Sequence, residues 1–256
     1  PRVRGSVANT SYALCLHTVG MVESAIADKL ASMVETHPAV TIGYRVKSSE
    51  IDVRVEARAE DYGSSRELAM AAADEVKARL GEAVYGENDQ TMPQLAGRSV
   101  RAKGWRMAVA ESCTGGLIAQ QLTTQPASDF FVGGTVAYAN TAKAAVLGVS
   151  EDTLRGHGAV SAEVAAEMAE GARRTFDCDV AVSVTGIAGP SGASAEKPLG
   201  LCHYAVSYPG GTVVEQSVFS GGRNQVQQKA AHAALDLLRR TVISHARPSS
   251  STDALK

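Results

Sequence analysis

The sequence predicts an α/β protein in two parts. A small α+β domain of order βαββα covers residues 1–90, and a three-layer α/β/α domain with a largely parallel mixed sheet covers 91–246. Three observations predict this. The apolar pattern up to residue 90 reads strand, helix, strand, strand, helix, whereas from Gly104 onward strands and helices alternate. Between them, GENDQTMP at 86–93 is polar and places Pro93 near a helix start. At 256 residues the chain is also too long for one small core and comfortable for two.

In the first part, SYALCLHTV at 11–19 is short, apolar and β-favouring, and ends at Gly20. Residues 20–35 place Val22, Ile26, Leu30, Met33 and Val34 on one helical stripe. TIGYRVKS at 41–48 has Ile42, Tyr44 and Val46 in step. IDVRVEARA at 51–59 alternates Ile51, Val53, Val55 and Ala57 with Asp52, Arg54, Glu56 and Arg58, one apolar face and one charged. The short Ser48-Ser49-Glu50 link suits a hairpin. Residues 63–81 read as a second helix with Leu68, Val76 and Leu80 inward, stopping at Gly81.

In the second part, 93–103 reads as a helix, 105–110 as a strand, 114–122 as a helix, 131–139 as a strand and 140–147 as a short helix. Ser161 is the expected N-cap of a helix to Phe176. Val180–Val184 is nearly all apolar, the pattern of a strand buried on both faces. Residues 201–207 and 212–219 form a hairpin about Pro209-Gly210-Gly211. A last helix at 223–244 carries Val226, Ala230, Ala234, Leu237 and Leu238 on one face, and 247–256 reads as a frayed tail.

Composition removes several functions. Hydrophobic residues at 45% and charged residues at 20% are ordinary for a globular chain. No apolar run approaches the roughly 18 residues of a membrane span. The net charge is -2, with 10 Lys and Arg against 14 Asp and Glu in residues 1–90 and 15 against 13 beyond, which argues against a nucleic-acid partner. Cys15, Cys113, Cys178 and Cys202 are far apart with no C-x-x-C, and the six histidines show no metal-ligand spacing. We therefore expect no metal, no disulfide framework and a reducing cytoplasm. Pro1 stands where an initiator Met would, so we expect a piece of a longer chain.

Three glycine-containing turns carry the chemistry, all at strand ends, where open α/β sheets place their sites. In Ala110-Glu111-Ser112-Cys113-Thr114-Gly115-Gly116 a serine leaves a strand beside helix N-terminal N–H groups that can hold an oxyanion or phosphate. Ser112 is either a nucleophile or simply the helix cap. In the stretch from Gly133 to Lys143, Tyr138 ends a strand and Lys143 sits one turn into the next helix, so both can lean over one edge. With no suitably placed histidine, a neutral Lys143 is the candidate base for Ser112, and the alternative is a solvated surface lysine. The short-chain dehydrogenase spacing Tyr-x-x-x-Lys would need lysine at 142, which is Ala, and no Gly-x-Gly-x-x-Gly turn is present. In the third turn, Val184-Thr185-Gly186-Ile187-Ala188-Gly189-Pro190, the Thr185 hydroxyl and freed N–H groups suit a phosphate or ribose. Gly221-Gly222-Arg223 offers a forked phosphate donor at the start of the last helix.

Together with His157-Gly158-Ala159-Val160-Ser161, these stretches resemble the C-terminal domain of the CinA family over roughly 92–245, and residues 11–90 resemble the KH-like middle domain that precedes it. The first part lacks the second glycine of a Gly-x-x-Gly loop at Gly20-Met21-Val22-Glu23 and is acidic, which favours a scaffold role over nucleic-acid binding. The resemblance implies a cofactor-free, metal-free amidohydrolase that converts nicotinamide mononucleotide to nicotinic acid mononucleotide and ammonia. It implies Ser112 as nucleophile, Lys143 as its base and Tyr138 as a positioning or relay group. Thr114 and Gly115 would supply oxyanion donors, and Asn140, Thr185, Gly186 and Arg223 would bind the nucleotide substrate. The chain departs from the family pattern at Ala139, where Ser is common, and at Gly222, where an acidic residue is common. The resemblance further implies a homodimer, and a partner domain of molybdopterin-binding type with nucleotide pyrophosphatase activity, no part of which is present in this sequence. A binding module without turnover is the alternative function.

Overall fold

A computed structural model describes residues 10–245. Contacts divide the chain into two compact units, one ending at Thr91 and the other starting at Met92.

The first unit holds β1 (Thr10–Thr18), α1 (Glu23–Leu30), α2 (Met33–Thr36), β2 (Val40–Val46), β3 (Ile51–Ala59), α3 (Tyr62–Leu80) and β4 (Val84–Glu87). Its sheet has the order β2-β3-β1-β4 and every pairing is antiparallel. The alternation in β3 does what its pattern dictates: Ile51, Val53, Val55 and Ala57 are buried and pack with Leu14, Leu16, Ile26, Leu30 and Val76. Three expectations need correction. The stripe at 20–35 is two helices broken at Ala31-Ser32, and Val22 and Val34 are exposed, because the sheet covers only Ile26, Leu30 and Met33. Leu68 is exposed as well, since α3 faces the sheet with small residues, Ala69, Ala72 and Ala73, ahead of Val76 and Leu80. A fourth strand, β4, joins the edge of β1. Asn88 fastens it there, its N–H donating to Cys15 C=O at 2.8 Å and its Oδ1 accepting from Cys15 N–H at 3.2 Å.

The second unit holds α4 (Met92–Ala102), β5 (Met107–Glu111), α5 (Leu117–Leu122), β6 (Phe131–Val136), α6 (Asn140–Leu147), α7 (Glu151–His157), α8 (Ala162–Thr175), β7 (Val180–Gly186), β8 (Leu201–Tyr208), β9 (Gly211–Val218) and α9 (Arg223–Ser244). The sheet order is β6-β5-β7-β8-β9; β6, β5 and β7 are mutually parallel, and β8 runs against both β7 and β9. The mixed α/β sheet is as expected, and β7 is buried on both faces through Thr185. The strand expected to end at Ala139 stops at Val136, which leaves Tyr138 in a loop. The helix expected from Thr114 starts at Leu117, and α7 was not anticipated. The expected tail, 247–256, lies outside the described residues.

Connection handedness sets the layers. The chain leaves β5 for β6 on one side and returns from β6 to β7 on the other, and right-handed crossovers put α5 and α8 on opposite faces. Accordingly α5 packs with α4 and α9, while α8 packs on β5, β7 and β8 and carries α6 and α7. The chain reverses winding between β5 and β7, and such a switch point opens a crevice beyond the strands' carboxyl ends. No described helix is long and apolar enough to cross a membrane.

Candidate active site

Ser112 leaves the carboxyl end of β5 at that switch point, and its N–H donates to Val184 C=O of β7 at 3.0 Å. The turn that follows is built by glycine and by an acid. Gly115 and Gly116 have φ of +66° and +100°, a left-handed region that side chains with a Cβ rarely adopt, so the chain reverses into α5 within five residues of the strand. Glu111, fully buried, caps the helix: its Oε2 accepts from Gly116 and Ile118 N–H at 3.0 and 3.1 Å, and its Oε1 from Ala119 N–H at 2.9 Å.

This cap corrects the expectation that the helix terminus offers free N–H groups to an oxyanion. The Gly115 N–H is also engaged, donating to Ser112 C=O at 3.1 Å, so Gly115 shapes the turn instead of serving as a donor. The amides of Cys113 and Thr114 are not held by Glu111. Thr114 Oγ1 is buried and has no hydrogen-bond partner among the described residues, a state that costs free energy until something binds it. Ser112 is therefore not the helix cap; the carboxylate before it is.

Lys143 reaches the serine from the second turn of α6 and is 1% exposed. Its Nζ lies 3.0 Å from Ser112 Oγ, 2.9 Å from Ala137 O and 3.0 Å from Tyr138 O. Burial lowers the Lys143 pKa below the ordinary lysine value, against a smaller opposing effect of the Cys113 thiol. A neutral amine has two N–H donors and one lone pair. In that neutral form the two carbonyls take both N–H groups and the lone pair is left for the Ser112 O–H, whereas in the ammonium form Nζ donates to all three oxygens.

The remaining predicted residues divide. Tyr138 touches the pair through its carbonyl only; its side chain is 58% exposed, and its hydroxyl accepts from Arg223 Nη2 at 2.9 Å. A relay through the phenol is therefore corrected to a backbone role in holding Lys143. Arg223 opens α9 and also donates from Nη1 to Gly189 C=O at 2.8 Å, so it bridges the loops after β6 and β7 at the rim. Asn140 is exposed at the first position of α6. The Thr185 hydroxyl donates to Ala159 C=O at 2.7 Å and secures the loop before α8, so its proton is spent there and only its lone pairs are left for the expected ribose. Gly186 is needed for close approach: a Cβ there would lie 2.5 Å from Cys202 Sγ and 2.8 Å from Leu201 O. Sequence reasoning missed Gln227, whose Nε2 donates to Cys113 C=O at 2.7 Å. Its signal was the four-residue spacing from Arg223, which puts both on one helix face.

With this geometry in hand, residues 89–242 match the family pattern described as CinA C-terminal domain. The chain belongs to the CinA family. Residues 15–86 match the damage-inducible protein CinA KH domain. A putative competence-damage inducible protein of Caldicellulosiruptor saccharolyticus is 38% identical over 235 residues, covering 91% of this chain and 57% of that protein. A CinA-like protein of Syntrophobacter fumaroxidans is 45% identical over 225 residues, covering 87% and 53%. The chain thus spans little more than half the length of these relatives. Among solved structures, the competence/damage inducible protein CihA of Agrobacterium tumefaciens aligns with a TM-score of 0.56 at 39% identity, covering 59% of this chain and 95% of that one. The competence damage-inducible protein A of Klebsiella pneumoniae aligns at 0.58 and 34% identity, covering 62% and 100%.

In this CinA chain the ligand types for a cation come together at Cys15, His17 and Asp52 of the first unit. The His17 and Asp52 atoms are already engaged. His17 Nδ1 lies 2.8 Å from Asp52 Oδ1, His17 Nε2 donates to Asn88 C=O at 2.7 Å, and Lys47 Nζ pairs with Asp52 at 3.0 Å.

Proposed function

We propose that this CinA chain is a serine amidohydrolase that deamidates nicotinamide mononucleotide, with Ser112 as nucleophile and Lys143 as base. The observation that carries the reading is the buried contact of 3.0 Å between Lys143 Nζ and Ser112 Oγ, with two backbone carbonyls completing the amine's shell. A lysine kept neutral by burial can take a hydroxyl proton, which a solvated ammonium cannot.

Lys143 Nζ accepts the Ser112 proton as Oγ bonds to the carboxamide carbon, and the carbonyl electrons move to oxygen. The tetrahedral intermediate expels the amide nitrogen, which takes the proton from Lys143 and leaves as ammonia. Water then attacks the acyl carbon, gives a proton to Lys143, and Oγ departs with that proton. The unpartnered Thr114 hydroxyl and the Cys113 and Thr114 amides are the candidate donors to the oxyanion. Arg223 at the rim fits the 5′-phosphate end, since a guanidinium presents more donors than the two contacts it makes here. Thr185 and Gly186 support the site from behind.

The test is incubation with nicotinamide mononucleotide without added metal, followed by mass analysis of product and protein. Acid product, ammonia and a trapped acyl adduct on Ser112 support the reading. Tight nucleotide binding with no product after long incubation favours a binding module. Ammonia release by Ser112→Ala at the wild-type rate overturns the mechanism, because loss of a nucleophile removes several powers of ten.

A further inference from the structure

The sheet of the first unit carries a cluster of unlike ligating groups on the face turned away from its core. Leu14, Leu16, Val53 and Val55 point into the core, so the alternating Cys15, His17 and Asp52 point the other way. Cys15 and His17 stand two residues apart on β1, and Asp52 lies directly opposite His17 on β3. A sulfur, a ring nitrogen and a carboxylate oxygen thereby come within 4.8 Å of one another. His17 and Asp52 are 5% and 6% exposed, and the Tyr85 ring stacks on His17 with centroids 5.7 Å apart.

We propose that Cys15, His17 and Asp52 form a binding site for a divalent transition-metal ion, zinc by the chemistry of its ligands, with water in the fourth position. Thiolate, imidazole and carboxylate together suit zinc better than the oxygen-seeking magnesium or calcium. Donor atoms around a tetrahedral zinc stand roughly 3.4–3.6 Å apart. His17 Nδ1 and Asp52 Oδ1, at 2.8 Å, need only part slightly, and rotation of the Cys15 side chain brings in the sulfur.

The surroundings support a histidine ligand. His17 Nε2 donates to Asn88 C=O at 2.7 Å, which fixes the tautomer and leaves Nδ1 facing the carboxylate, as the outer partner of a metal-bound imidazole does. Asn88 also holds both backbone groups of Cys15, at 2.8 and 3.2 Å, so one residue steadies two of the three ligands. Lys47 is the competitor. Its Nζ stands 3.0 Å from Asp52 Oδ1 and supplies the positive charge that a cation would bring. It also pairs with Glu50 at 2.6 Å, and its side chain is 35% exposed. Lys47 can therefore release Asp52, keep Glu50 and open a path from solvent. Binding displaces the Cys15 thiol proton and the proton that joins Nδ1 to Oδ1, and the two charges of the ion then meet one thiolate and one carboxylate. Spacing along the sequence conceals the site, because Asp52 arrives from another strand 35 residues after His17. None of this rests on the amidase reading.

The test uses the full chain, reduced, stripped with a chelator and dialysed against zinc chloride or, separately, cobalt(II) chloride. The expected result is one zinc per chain, and with cobalt the charge-transfer absorption of a thiolate ligand. Cys15→Ala should lose both. Lys47→Met should bind zinc several-fold more tightly, since the competing cation is gone, and this gain is read without a disabled site. A folded wild-type chain that takes up no stoichiometric zinc overturns the proposal. So does a Cys15→Ala chain that keeps the zinc and the thiolate band, or a Lys47→Met chain that binds zinc more weakly than wild type.

Discussion

Each unit buries a side chain that is normally charged, and the two surroundings differ in kind. In the first unit Asp52 is met by His17 and Lys47, both donors. Burial alone would raise its pKa, but those hydrogen bonds win and hold the carboxyl below its ordinary value. In the second unit Lys143 meets a hydroxyl and two carbonyls, and burial drives it towards the neutral form. A buried charge given a partner is a structural tie; a buried amine denied one is a base.

The comparison is broken most severely at the dyad. Ser112→Ala and Lys143→Met should each lower kcat by several powers of ten. Denaturant titration should show Lys143→Met within about 1 kcal/mol of wild type, because relief of amine burial offsets two lost carbonyl bonds. Asp52→Ala should do the reverse, costing about 3 kcal/mol of stability in the first unit by leaving His17 and Lys47 without their acceptor, with kcat unchanged in folded protein. Glu111→Gln tests the cap: one acceptor oxygen becomes an amide donor facing N–H groups, which should cost about 1–2 kcal/mol and lower kcat without changing its pH midpoint.

The pH dependences should also oppose each other. Asp52 is depressed in the folded state, so its contribution is complete above the ordinary aspartate value and is lost as pH falls through the folded value. Lys143 is depressed too, but it is a base. Between its folded and ordinary values the unfolded chain binds more protons, so stability rises with pH across that window. Amidase activity should rise over the lower part of the same window, and unfolding midpoints with rates measured from acid to alkaline pH check both signs.

Where side-chain pattern decides, the sequence was informative. The Ile51, Val53, Val55, Ala57 alternation and the apolar β7 determined strands in register, and Ser161 capped its helix as expected, accepting from Val164 N–H at 3.3 Å. The Ser112 and Lys143 pairing was legible only as two residue types at two strand ends. What held them was not, because the partners of Lys143 are the carbonyls of Ala137 and Tyr138, and a carbonyl has no residue identity. Glu111 was overlooked for a related reason: a carboxylate reads as surface until three N–H groups are seen to converge on it. β4 escaped because four residues with one buried side chain, Tyr85, carry no period, and Asn88 supplies what fixes them.

The most direct test of the account is the titration of Lys143 itself, followed by NMR in protein labelled at lysine Cε, with Lys143→Met assigning the signal. The account predicts a midpoint well below those of the surface lysines and an activity profile that follows it. A Lys143 signal that titrates with the surface lysines or above them would contradict it.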